Sequence, residues 1–124
     1  GFFDMRTICR IRDIYRAIAQ FEEQFQATYN LSMNEGMLLC SVSSKGVLTA
    51  GEIAEDLGVT ASNASKIITS VEKKGLIKRE SGHSDKRRMN FSLTDEGLTM
   101  IEKIEVEQVN VPAMLCDMIK MGDQ

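Results

Sequence analysis

At 124 residues and 13.8 kDa the chain fits one domain, and its 43% apolar and 27% charged residues exclude a disordered or fibrous class. Its apolar runs fall far short of the roughly 20 residues that cross a bilayer and no basic-then-apolar leader opens it, so a cytoplasmic protein with no membrane partner is expected. The formal charge of −3 hides an asymmetry: residues 60–90 hold eight cations against three anions while the remainder carries a net −8, so one quarter of the chain has the footprint of a phosphate-binding surface.

Residues 4–28 place Ile8, Ile11, Ile14, Tyr15, Ile18, Phe21 and Phe25 three and four apart, with Arg6, Arg10, Arg12, Arg16, Glu22 and Glu23 largely between them. That spacing predicts one long amphipathic helix. Its apolar face, extended by Phe2 and Phe3, is wide for a chain of this size, so part of it is expected to meet another subunit.

Two capping boxes follow. Ser32 with Glu35 opens a helix predicted over about 33–44 that stops near Gly46; Thr49 with Glu52 opens a second that runs to Leu57 and stops at Gly58. Leu48 and Ile53 stand where a hydrophobic staple would. Thr60 caps a third helix ending at Gly75, and the tight turn "LGVT" between the last two makes a helix-turn-helix.

"LIKRES" and "RRMNFSLT" then predict two strands around the turn "GHSD", with Met89, Phe91 and Leu93 on the packed face and Asn90 and Ser92 on the wet one. Thr94, followed by Asp95 and Glu96, caps a further helix bearing Leu98, Ile101, Ile104 and Val109. Pro112 interrupts that pattern, and "AMLCDMIKM" suits a short final helix.

The order of elements and three motifs give the chain a family resemblance. In "LTAGEIAEDLGVTASNASKIITSVEKKGLIKR" a capped helix leads through L-G-V-T into a reading helix; "SDKRR" is a wing with a D-x-R core; "FSLTDEG" is a strand-to-helix exit. Over about residues 32–98 these resemble the MarR family of bacterial transcription regulators. The resemblance implies a mainly α fold with a small antiparallel β-hairpin wing. Residues 31–97 would form a winged helix-turn-helix lobe, and residues 1–30 and 98–124 would supply dimerisation helices within a single domain over 1–124. It further implies a homodimer on a palindromic double-stranded DNA operator, often a repressor released by a small-molecule effector. Phe3, Ile8, Ile11, Tyr15, Leu115 and Ile119 are the dimerisation candidates.

A reading helix lies in the major groove, where base edges differ in their donors and acceptors. With Ala64, Ile67, Ile68 and Val71 as the packed stripe, the other face presents Ser62, Asn63, Ser65, Lys66 and Thr69. Asn63 suits adenine and Lys66 guanine, with the three hydroxyls touching bases or backbone. A plainer account is that these residues only cap and solvate the helix. At the wing, Arg87 is the candidate for insertion into the minor groove, Asp85 for orienting it, and Lys86 and Arg88 for phosphates. The plainer account there is a solvated turn. Lys73, Lys74, Lys78 and Arg79 are weaker candidates, because a helix end attracts cations through its dipole alone.

Other features weigh less. Cys9, Cys40 and Cys116 are far apart and form no C-x-x-C pair, so buried structural thiols are expected rather than a zinc knuckle or disulfides. Cys9 also raises the peroxide-sensing branch of the family, although Met33 stands where that branch has a tyrosine. The methionines, notably Met33, Met37, Met114, Met118 and Met121, are read as core filling ahead of an adaptable ligand pocket. His83, alone of its kind, makes no metal site. No nucleophile–base pair, carboxylate dyad or phosphate-cradling loop appears, so neither enzyme activity nor a cofactor is expected. The rival functions are a winged helix serving as a protein-interaction module and a small-molecule or redox sensor whose output is not DNA.

Overall fold

The computed structural model describes residues 3–81, 89–107 and 111–122. The chain divides into two compact units, Gly1–Asn30 with Gln108–Gln124, and Leu31–Glu107.

In the first unit Asp4 caps α1 (Met5–Tyr29), accepting from the Thr7 amide at 3.0 Å, and Asn30 ends it in the left-handed region at φ 56°. Asparagine tolerates that region better than most residues. Phe21, Phe25 and Tyr29 pack along the helix, the first pair tilted at 5.9 Å between ring centroids and the second edge-to-face at 5.2 Å. The apolar face expected to meet a partner is open within one chain: Phe3 and Tyr15 are both 74% exposed, and Ile8, Ile11 and Ile18 are exposed as well. Helix α6 (Ala113–Gly122) packs on α1 and exposes Met118 and Ile119, while Leu115 is half-buried.

The second unit begins with α2 (Met33–Lys45), capped by Ser32 and closed at Gly46, where φ is 86°. Leu48–Thr49 forms β1, and Thr49 at once caps α3 (Ala50–Leu57). Gly58, left-handed at φ 68°, turns the chain into α4 (Ala61–Lys73), which Thr60 caps by accepting from the Asn63 amide. Strands β2 (Ile77–Ser81) and β3 (Met89–Leu93) pair antiparallel, Arg79 opposite Phe91, and α5 (Asp95–Glu107) follows. Leu31, Leu38, Leu39, Val42, Leu48, Ile53, Ile68, Val71, Leu76, Ile77 and Phe91 form the core. Leu48 and Ile53, the predicted staple, are 2% and 0% exposed.

Several expectations need correction. The sheet has three strands in the order β1-β3-β2, because Leu48 and Thr49 pair with Phe91 and Asn90 before the chain enters α3. Alternation along β3 is weaker than predicted: only Phe91 is buried, Leu93 is half-buried, and Met89, opposite Ser81 at the start of β3, is exposed. Leu98 is 50% exposed, because its neighbour Gly97 takes the position against Leu76. Cys9 and Cys40 are exposed, not buried, since the packed face of α2 is taken by Leu38, Leu39 and Val42 and the Cys9 side of α1 is open. The methionines do not fill the core. Met37 and Met118 are exposed and Met33 and Met114 half-buried, because branched aliphatic side chains occupy the interior. Phe2, His83, Val109 and the side chain of Met121 lie outside the described residues.

Candidate nucleic-acid interface

Helix α4 carries the candidate site. Thr60 starts it and Ala64, Ile68 and Val71 bury its inner stripe, so Ser62, Asn63, Ser65, Lys66 and Thr69 are all exposed on its outer side. Ile67, expected in the packed stripe, is half-buried at its margin. The structure thus brings the five predicted helix residues onto one solvent-facing surface. The wing residues Asp85, Lys86, Arg87 and Arg88 lie outside the described residues.

On that surface lies a shallow, open groove of about 370 Å³ lined by Ser65, Lys66, Thr69, Ser70 and Lys73. Its lining sets hydroxyls and two lysine ammoniums among a larger share of aliphatic surface, from the Thr69 methyl and the lysine stems. Ser70 was not singled out in the sequence, although its place four residues after Lys66 puts it on the same stripe.

Two cations of the basic block are engaged inside the unit. Arg79 forms a two-pronged pair with Glu72 of α4, its Nε donating at 2.8 Å, and its guanidinium lies 5.4 Å from the Phe91 ring centroid. Lys74 donates to Glu35 at 2.8 Å. These pairs fix α4 against β2 and α2. Lys66, Lys73 and Lys78 remain exposed.

Glu35 is the buried charged side chain among the described residues, at 5% exposure. It does more than close the capping box predicted for it. Oε1 accepts from the Ser32 amide and from Lys74 Nζ, both at 2.8 Å, while Oε2 accepts from Ser70 Oγ at 2.6 Å. The carboxylate therefore joins the start of α2 to the last turn of α4. Burial works to raise its pKa, but the bonds from Lys74, Ser32 and Ser70 outweigh that and hold it below the ordinary carboxylate value. Glu72 is lowered by its bond from Arg79, and Asp56 by its bond from Lys45 across α2 and α3.

These shifts fix a sign. A carboxylate with a depressed folded pKa contributes stability that is present above its unfolded pKa and lost as pH falls through the folded one. Urea midpoints should therefore hold from neutrality down to about pH 4 and then fall with further acidification. Glu35→Gln should be less stable than wild type at pH 7 by about 1–3 kcal/mol, the range for bonds to a charged group, and its stability should decline less on acidification. Parallel acid profiles for the two proteins would show that Glu35 takes no part.

No helix among the described residues is long and apolar enough to cross a membrane, and no cluster of three His, Cys, Asp or Glu side chains among them could hold a metal ion. Residues 31–89, which include the whole of α4 and its groove, match the MarR family. An HTH-type transcriptional regulator of Bacillus subtilis, YwaE, is 31% identical over 96 residues, covering 77% of this chain and 56% of the relative. The chain thus spans little more than half the length of such curated relatives. Among solved structures, a Staphylococcus aureus MepR–DNA complex is similar with a TM-score of 0.63 and 27% identity, over 76% of this chain and 71% of that one. BpsR of Bordetella bronchiseptica, whose DNA binding is regulated by 6-hydroxynicotinic acid, has a TM-score of 0.69 at 13% identity, over 98% and 100% of the two chains. At that identity the likeness speaks for the fold alone.

Proposed function

This chain carries a MarR-family winged-helix domain over residues 31–89, and from that premise we propose that it is a sequence-specific, double-stranded DNA-binding transcriptional regulator. The observation that carries the proposal is the outer surface of α4. Ser62, Asn63, Ser65, Lys66 and Thr69 stand exposed together with no carboxylate among them, in a chain whose charge is otherwise negative. Small side chains at the helix start let the backbone approach base edges, while the amide of Asn63 and the ammonium of Lys66 supply directional contacts. Relatives named as transcriptional regulators and a similar structure solved on DNA support the same function. Family members are regulators, and no enzyme activity is assigned.

The same reading extends to assembly and control. A homodimer would cover Phe3, Ile8, Ile11, Tyr15, Leu115 and Ile119 and would set two copies of α4 on a palindromic operator. Repression, with release by a small-molecule effector, follows the pattern of the family, and BpsR with 6-hydroxynicotinic acid is one regulated case of the same fold. Arg87 with Asp85, flanked by Lys86 and Arg88, would carry wing contacts in the minor groove.

Selection of bound duplexes from a random pool tests DNA binding, palindromy and half-site spacing together. On the selected duplex, Arg87→Ala should weaken binding by about 1–3 kcal/mol, whereas Arg12→Ala on α1 should leave it nearly unchanged. Equal effects from the two would point to general charge attraction instead of a wing. A pool that yields no enriched, salt-sensitive duplex would favour the protein-interaction alternative. Peroxide-dependent change at exposed Cys9 with only non-specific duplex affinity would favour the redox alternative.

A further inference from the structure

The hydroxyl of Ser70 is shared between two places. It lines the groove beside Ser65, Lys66, Thr69 and Lys73, and it donates its one hydrogen to Oε2 of buried Glu35 at 2.6 Å. A serine hydroxyl has one donor and two acceptor lone pairs and ordinarily rotates to suit its partner. Here the choice is removed, because a carboxylate can only accept. Oε1 of the same group is already occupied by the Ser32 amide and Lys74 Nζ, which fixes the carboxylate plane and leaves Oε2 for Ser70. Whatever enters the groove therefore meets Ser70 as an acceptor.

Resting on the proposal that α4 reads DNA, we infer that Glu35 and Ser70 together form a specificity element, in which the buried carboxylate sets Ser70 to accept from a base-edge donor. In the major groove the donors are the N6 amino group of adenine and the N4 amino group of cytosine; guanine and thymine offer acceptors at the corresponding place. A phosphate oxygen is also an acceptor and would be refused. Ser70 thus differs from Ser62 and Ser65, whose exposed hydroxyls can take either sense. Glu35 acts through Ser70 and is a positioning residue.

The geometry supplies an inversion test. In Glu35→Gln, the carbonyl oxygen must take the Oε1 place, because two donors point at it; the amide NH2 then faces Ser70 and donates to it. The Ser70 hydrogen is released into the groove, and the residue changes from acceptor to donor. Wild type, Glu35→Gln and Ser70→Ala would each be put through selection from the same random pool, with folding checked by circular dichroism. Wild type should enrich adenine or cytosine at one position of each half-site. Glu35→Gln should enrich guanine or thymine there and bind the wild-type duplex about tenfold more weakly, the scale of one base contact. Ser70→Ala should abolish the preference at that position alone. A merely structural role for Glu35 would lower stability and affinity without changing the preferred base.

The inference is overturned if folded Glu35→Gln keeps the wild-type base at that position, or if Ser70→Ala does. Should Glu35→Gln fail to fold, an unchanged preference in Ser70→Ala is enough to overturn it, and an abolished preference supports it. If wild type enriches no duplex at all, the DNA-binding proposal fails first and this inference falls with it.

Discussion

Gly97→Ala should cost the second unit stability at or above the top of the usual overpacking range of about 1–3 kcal/mol, read as a lowered urea midpoint. A β-carbon at this position would overlap the carbonyl oxygen of Leu76 and lie 3.1 Å from its carbon and 3.2 Å from Leu93 Cδ2. The first of these atoms is backbone and cannot swing aside. The contact is also anchored on both sides: the Thr94 amide donates to Leu76 O at 3.1 Å, and Thr94 Oγ1 donates to Gly75 O at 2.6 Å while accepting from the Gly97 amide at 3.0 Å. To admit one methyl group, α5 must move away from the turn after α4, and the Thr94 bonds must stretch or break. The slope of ΔG with urea should stay near wild type, since the unfolded chain is little changed. Wild-type stability in Gly97→Ala would mean that α5 is not held against Leu76 as described.

Why the sequence announced some of this and not the rest is a matter of range. The caps at Ser32, Thr49 and Thr60 were legible because a cap is a local arrangement: a side-chain oxygen accepts from an amide three residues on, so the pattern can be read within four residues. The outward face of α4 was legible for a similar reason, since Ala64, Ile68 and Val71 mark the inner stripe and fix the outer one by periodicity. Gly97 looked like an ordinary residue of the "FSLTDEG" exit, because its constraint is Leu76, which lies 21 positions earlier. Glu35 was read as half of a capping box, which it is. Its other oxygen contacts Ser70, 35 residues away, and no local pattern records that. The strand β1 was hidden for a related reason: two residues carry too short an alternation to read, and they become a strand only by pairing with Phe91 and Asn90.

Lys66→Glu should have the largest effect on function, lowering affinity for the selected duplex by about 4 kcal/mol or more, roughly 10³-fold. Two terms combine. On the proposed reading the substitution removes a base-edge or phosphate contact worth about 1–3 kcal/mol, and in the proposed dimer on a palindrome it does so twice. It also sets a carboxylate against the DNA, on a surface that has none between Ala61 and Ser70. The chain outside residues 60–90 already carries a net −8, so little positive charge is held elsewhere to compensate. Stability should change by no more than about 0.5 kcal/mol, because Lys66 is exposed and makes none of the ion pairs that pin α4. Those belong to Lys74 and Arg79, whose replacement would confuse folding with binding. If Lys66 meets a phosphate, the slope of log affinity against log salt should shrink by about 0.9 for each phosphate no longer neutralised; if it meets guanine, the slope should hold nearer to wild type while the preference at that base pair disappears. A folded Lys66→Glu protein that kept wild-type affinity would remove α4 from the DNA interface, and with it the main physical ground for calling this chain a DNA-binding regulator.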